Sequence, residues 1–203
     1  MLNWQRISAL QEFQQSATNT VMQDAGVSVS ELPHSGKLVC QTRADDEAVQ
    51  AALSAAIGQK LPLLPNTSTT STHTILWMKP GKWMIFCAVG ESRQLRKNLK
   101  SALAGFICMI SDISDSRVGI EISGDDARAL LSRVCALDLD ARSFTRGQCA
   151  QTLLVRVPLL LHQVNDRPTF HLYVDRSVAR YAWDWLCDAA SEISSGANSG
   201  VNT

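Results

Sequence analysis

RVGIEISGDDARALLSRVC (117–135), followed by RSFTRGQCAQTLL (142–154), decides the reading of this 203-residue chain. Val118, Ile120 and Ile122 alternate with Arg117, Gly119 and Glu121, the period of a half-buried strand, and Ala127, Leu130, Leu131 and Val134 then follow at helical spacing. Gly124 marks the switch. Ser123 or Asp125 supplies an oxygen to cap the first free amides of the helix, and the pair Asp125-Asp126 complements its positive end. The second run reads as a returning strand. The stretch specifies architecture and holds few groups suited to covalent or acid–base chemistry, which points to a subunit or binding module before an autonomous catalyst.

The same alternation continues outward. Leu38 to Thr42 is a strand, and Ala48, Val49, Ala52, Leu53, Ala56 and Ile57 mark an amphipathic helix that Gly58 terminates. Thr74 to Met78 and Trp83 to Ala88 flank Lys79-Pro80-Gly81-Lys82, a hairpin whose proline presets one central residue of the turn. Leu95, Leu99, Ala102 and Leu103 give the next helix, and Phe106 to Ile113 is a strand turned by Asp115-Ser116 into 117–123. After the central helix, Ala150 to Val157 and Leu159 to Val164 are extended around Pro158, which suits an edge or a bulge. Phe170, Leu172 and Val174 alternate with His171 and Tyr173, and Val178, Ala182, Trp185, Leu186 and Ala189 define a closing helix. The order β-α-β-β-α followed by β-β-α-β-β-α predicts an α+β body of two split β-α-β, ferredoxin-like subdomains, about 32–105 and 106–193. Residues 1–31, rich in Gln, Ser and Thr, read as an arm ordered in part, and 194–203 as a flexible tail.

Nineteen basic and nineteen acidic side chains give a formal net charge of zero, so no global field draws the chain to nucleic acid or to an anionic membrane. A near-neutral surface favours life inside an assembly. No segment approaches membrane-spanning length, and the opening MLNWQR does not read as a secretory signal. Cys40, Cys87, Cys108, Cys135, Cys149 and Cys187 are scattered among apolar neighbours, the pattern of reduced, buried thiols in a cytoplasmic chain. Cys135 and Cys149, separated by a loop, could approach one another but read as buried structural thiols.

The chemistry-bearing residues are sparse. No C-x-x-C or H-x-x-x-H pair offers metal-ligand spacing, so no metal is expected. His34, His73, His162 and His171 sit in different elements beside no turn-borne nucleophile, so no catalytic residue is assigned; His171, on the non-apolar face of its strand, is expected to face solvent or an interface. Neither G-x-x-x-x-G-K-[ST] nor G-x-G-x-x-G is present, so no dinucleotide is expected on a glycine-rich loop of this chain. Asp112, Asp115 and Arg117 form a polar constellation with two readings. They are carboxylates in a cleft, or, as is favoured, a charged hairpin turn in which Asp115 caps the bend and Arg117 pairs across the strands. Lys79, Lys82, Arg93, Arg96, Lys97 and Lys100 make a basic region, either a solvated face or a contact with an acidic partner; no exposed aromatics interleave to suit RNA. Trp183 and Trp185 lie about 200° apart around a helix and cannot share a face. Trp185 continues the apolar stripe, so Trp183 is expected to point outward, and Trp183, Lys79 and Lys82 are the interface candidates.

Several of these runs carry a family resemblance by their order and spacing: LWMKPGKWMIF (76–86), DISDSRVGIEISGDDARALL (112–131), CALDL (135–139), GQCAQTLL (147–154), PTFHLYVDRS (168–177) and WDWLCDAA (183–190). Over roughly 32–193 the chain resembles the gamma subunit of heterotetrameric sarcosine oxidase. The S-G-x-x-A-R-x-L-L pattern at 123–131 is also similar to the wider folate-binding group that includes the aminomethyltransferase of glycine cleavage. The resemblance implies the fold of the aminomethyltransferase folate-binding domain. It also implies a non-catalytic subunit of a complex that oxidatively demethylates sarcosine to glycine, with hydrogen peroxide and either formaldehyde or methylene-tetrahydrofolate as products. It assigns FAD, FMN and NAD to alpha and beta subunits, zinc to delta, and tetrahydrofolate to the complex, with this chain packing mainly on alpha. The alternative is a stand-alone folate-binding or aminomethyltransferase-like protein, for which Arg117, Asp112 and Asp115 are the candidate folate contacts.

Overall fold

A computed structural model describes residues 7–10, 26–44 and 46–198. Along the chain come β1 (Ser28–Glu31), β2 (Gly36–Thr42), α1 (Glu47–Ile57), β3 (Ser68–Thr70), β4 (Thr74–Lys79), β5 (Lys82–Cys87), α2 (Ser92–Ala102) and β6 (Cys108–Asp112). They are followed by β7 (Arg117–Ser123), α3 (Ala127–Val134), β8 (Cys149–Leu154), β9 (Val157–Asn165), β10 (Thr169–Asp175) and α4 (Ala179–Asn198). The strands form two five-stranded antiparallel sheets, ordered β3-β4-β5-β2-β6 and β8-β9-β10-β7-β1.

Written this way round, the two sheets correspond strand for strand. Each is a split β-α-β unit with one added edge strand, β3 or β8. The first unit runs β2-α1-β4-β5-α2-β6. The second runs β7-α3-β9-β10-α4 and takes its last strand, β1, from ahead of the first unit, so it is circularly permuted. The two-subdomain α+β architecture is therefore present, but the expected division at 105/106 does not coincide with the division between sheets. β6 lies after it and pairs with β2, while β1, inside the expected arm, pairs with β7. Leu10 and Val27, from the same arm, are buried in the second core; residues 1–6 and 11–25 of the arm lie outside the described residues.

Each helix is set by local chemistry. Asp46 Oδ1 accepts from the Val49 amide at 3.1 Å to start α1, Gly58 closes it, and Val49, Leu53 and Ile57 face inward. α3 departs from the expected cap: Asp126 holds the cap position without a side-chain hydrogen bond, and the Ala127 amide is taken by Gly124 O at 3.1 Å. The closed turn supplies the acceptor that Ser123 or Asp125 was expected to provide. Pro158 is not on an edge strand, since β9 lies between β8 and β10; it sits beyond the last β10 pairing, at Leu159, where only β8 flanks it. α4 continues to Asn198, into the stretch expected as tail.

Helices cover the outer face of each sheet and the inner faces pack together. Leu38, Ile75, Trp83 and Ile85 meet Leu53 and Leu99 in one outer core, and Ile120, Leu161, Phe170 and Leu172 meet Leu130 and Leu186 in the other. Between the sheets Val39, Leu76, Met84 and Phe86 face Cys149, Leu160 and Tyr173, with the Phe86 and Tyr173 ring centroids 4.4 Å apart. Gly124, at φ 116°, lets the β7–α3 turn press on the chain leading into β1: a Cβ there would lie 2.2 Å from Gly26 O. Gly124→Ala is expected to cost about 3 kcal/mol or more, read as a lowered urea midpoint, because both backbone strain and a main-chain clash must be relieved.

Candidate functional site

The inner layer is not apolar throughout. Toward the β6–β7 turn it opens into a cleft of about 760 Å3 whose wall includes Leu32, Lys37, Phe86, His162, His171 and Tyr173. Period-2 alternation sets Glu121 on β7, His171 on β10 and His162 on β9 in one row, paired Glu121↔His171 and His171↔His162, and the two histidines line the cleft. Gly119 leaves room beside them, since a Cβ would come within 3.0 Å of Leu32 Cδ1 and 3.2 Å of Tyr173 Cε1.

Hydrogen bonds fix the tautomers in this row. His171 Nε2 lies 3.1 Å from Glu121 Oε2 and Nδ1 lies 3.3 Å from the Tyr173 hydroxyl. The carboxylate can only accept, so Nε2–H donates to it and the tyrosine donates to Nδ1. Ser68 Oγ is 2.8 Å from Gly147 O, a contact that takes the hydroxyl proton, so His162 Nε2–H donates to Oγ across 2.9 Å. His162 Nδ1 is then a bare acceptor, buried and unpartnered among the described residues. Burial, with the neighbouring His171 adding to it, pushes His162 down to about 4. His171 is also lowered by burial, opposed by its hydrogen bond to Glu121, and burial holds the Tyr173 phenol above its ordinary range. The row is a set of neutral imidazoles and a protonated phenol at neutral pH. Four thiols are held in their unreactive, protonated form: burial pushes Cys40 up to about 12 and Cys87, Cys149 and Cys187 up to about 11. Among the described residues no group of three or more His, Cys, Asp and Glu side chains gathers to hold a metal ion, and no helix is long and apolar enough to cross a membrane.

The sequence-predicted residues do not converge on one place. Asp115 and Arg117 line the cleft; Asp112 lies on the edge of the first sheet, in a separate hollow with Arg93, Arg96, Lys97 and Lys100. Asp112 caps the bend, its Oδ1 accepting from the Ser114 amide at 3.0 Å and from its hydroxyl at 2.5 Å. Burial alone would raise the Asp112 carboxyl, but the Ser114 and Ser92 hydrogen bonds and the Arg96 charge outweigh it and hold it low. Arg117 pairs with Asp175 of β10 at 3.3 Å, since register sets those two opposite each other. His171 faces the layer between the sheets and not solvent. Cys135 contacts Thr152 on the helix side of the second sheet and Cys149 belongs to the inter-sheet layer, so the two thiols point to opposite faces. Lys79 is exposed and Lys82 half-buried, adjacent across the hairpin.

The tryptophan assignment reverses. Trp183 is 3% exposed in the second core and Trp185 is 42% exposed, its ring 6.2 Å from that of Tyr181. Ala182, Leu186 and Ala189 fit either stripe on α4; buried Ala179 and Ala190 extend the phase that contains Trp183. The Glu121–His171–His162 row is not legible from local sequence, because cross-strand pairing of three separate strands brings its members together. Its signal is a polar side chain on the same face of three strands that pair in the second sheet.

The model of the sarcosine oxidase, gamma subunit family matches residues 41–192. The chain belongs to that family. A sarcosine oxidase subunit gamma from Corynebacterium sp. (strain P-1) is 29% identical over 147 residues, 71% of this chain and 71% of the relative, and one from Arthrobacter sp. is 28% identical over 150 residues, 73% and 72%. A solved heterotetrameric sarcosine oxidase from Corynebacterium sp. U-96, in complex with pyrrole 2-carboxylate, contains a chain that superposes with TM-score 0.84 at 24% identity, covering 93% of this chain and 96% of that one. The glycine cleavage system aminomethyltransferase T from Bartonella henselae superposes with TM-score 0.66 at 14% identity over 88% of this chain and 56% of that one. The expected aminomethyltransferase-like fold is thus found, and the family is the one the sequence runs resembled.

Two outcomes follow from this geometry. Trp183→Ala is expected to cost about 3 to 5 kcal/mol in urea unfolding and Trp185→Ala under about 1 kcal/mol, the reverse of the sequence expectation. His162 is neutral in the folded chain down to about 4 and titrates near 6.5 when unfolded, so the stability it contributes is complete above 6.5 and is lost as pH falls through 4. The loss is at most about 3 kcal/mol, and unfolding midpoints of His162→Gln measured across that window should show a shallower fall than wild type.

Proposed function

We propose that this chain is the gamma subunit of a heterotetrameric sarcosine oxidase and works by docking onto larger redox-active subunits, without catalysing a step itself. The single observation that carries the reading is the family match over 41–192, supported by end-to-end superposition on a chain of a solved oxidase. The chemistry of the chain agrees: burial holds the Cys40, Cys87 and Cys149 thiols protonated, the paired imidazoles are neutral, and the Glu121–His171–Tyr173 chain is satisfied internally. In this reading the assembly oxidatively demethylates sarcosine to glycine, with hydrogen peroxide and formaldehyde or methylene-tetrahydrofolate as products. Alpha, beta and delta chains are its partners, FAD, FMN and NAD sit on those chains, and the exposed Tyr181–Trp185 pair and Lys79 are contact candidates.

One observation favours a second reading, a stand-alone folate-binding protein. The inter-sheet cleft is of small-molecule size and has Asp115 and Arg117 in its wall.

Purification of the tagged chain from its native host, with a visible absorbance scan, tests the first reading. Larger flavin-bearing chains are expected to co-purify and the complex to oxidise sarcosine, while the isolated chain is colourless and inactive. Turnover of a methylated amine by the isolated chain would overturn it. Tight tetrahydrofolate binding by the lone chain in calorimetry selects the second.

A further inference from the structure

The zero net charge conceals a partition. Residues 36–113 carry nine lysines and arginines, including every lysine of the chain, against five acids, while the remaining residues carry ten arginines against fourteen acids. The concentration is steepest on α2. Arg93, Arg96, Lys97 and Lys100 recur at i, i+3, i+4 and i+7 and so share one face, where with Asp112 they line a hollow of about 400 Å3. Arg93, Lys97 and Lys100 are exposed, and among the described residues none of them forms an ion pair. Like charges at these spacings repel, and Arg93 stands in the first turn, where the helix dipole disfavours a cation. The stripe works against the helix that carries it, and an opposite charge from outside would relieve it.

The stripe borders an open backbone edge. β6 is the last strand of its sheet, and the Ile113 amide donates to Lys37 O at 2.8 Å. Antiparallel alternation then turns Met109 and Ser111 toward β2 and the main-chain groups of Cys108, Ile110 and Asp112 outward. Arg96 Nε reaches the outward Ile110 carbonyl at 3.3 Å, which places the cations along this edge. The edge ends at Ile107, 71% exposed, with Phe106 beside it. From Arg93 to Lys100 the helix rises about 10 Å, the length of roughly three extended residues.

We infer that α2 and the free edge of β6 form the docking surface for an extended acidic segment of a partner subunit, an inference that rests on the reading of the chain as a subunit of the oxidase. The segment's carboxylates answer the cationic stripe, and an apolar side chain at its end covers Ile107. A nucleic-acid backbone offers the charge but nothing for the apolar end.

The test is co-expression of the full tagged chain with the other oxidase subunits of its host, with affinity for them measured at low and high salt. Arg93→Glu/Lys97→Glu alters exposed positions only, and Arg156→Glu/Arg167→Glu makes the same charge change on the other half. The α2 pair is expected to weaken association roughly tenfold or more and to remove much of its salt dependence, the control pair to leave both as in wild type. If wild type assembles and the α2 variant assembles equally well, the docking surface is wrong and the subunit reading stands. If wild type recruits no subunit, both fall. Self-association of the lone chain that the α2 pair abolishes, or binding of a labelled single-stranded oligonucleotide through α2, would assign the surface to another occupant and overturn the inference.

Discussion

The contact between the inner faces of the two sheets is the constraint on which the molecule depends. Each sheet has one face under its own helices and must bury the other, and Phe86 against Tyr173, flanked by Met84, Leu76 and Leu160, does this for both sheets at once. β1 ties the halves further, because the second unit takes its last strand from the chain that leads into the first. The second unit is not complete without the stretch that precedes the first, which is why a boundary drawn between consecutive segments does not separate the sheets.

Where the inner layer turns polar it does so with its own partners. The Glu121–His171–Tyr173 chain satisfies itself, and Ser68 with Gly147 fixes the His162 tautomer. Such satisfaction has a functional side: protons committed to internal acceptors, and imidazoles held neutral by burial, are poorly placed to serve a substrate. A family member that contributes surface to a larger assembly needs a rigid body more than a reactive one, and this interior supplies that. Charge is treated the opposite way on α2, where like charges stand side by side at a free sheet edge, so the electrostatic interest of the molecule lies on its surface.

Much of the fold was legible in the sequence. The α1 stripe closed by Gly58, the Pro80-Gly81 hairpin and the β7–α3 unit were read with nearly their observed bounds, because each rests on local periodicity and turn chemistry. The site was less legible. Asp112, Asp115 and Arg117 are close in sequence but divide between two surfaces, and the partner of Arg117, Asp175, is remote in the chain. α4 shows the limit within one element: two overlapping apolar stripes share Ala182, Leu186 and Ala189, and only packing against the second sheet chose the phase that buries Trp183.

The sequence by itself determined most of the elements, the α+β class and the family, because these depend on side-chain period, turn residues and the spacing of short runs. Tertiary structure alone decided that β1 completes the second sheet, that three polar residues from three strands form one row, that Trp185 is the outward tryptophan, and that the α2 cations border an open edge. These are relations between residues far apart in the chain, set by which faces must be buried together, and no local pattern encodes them.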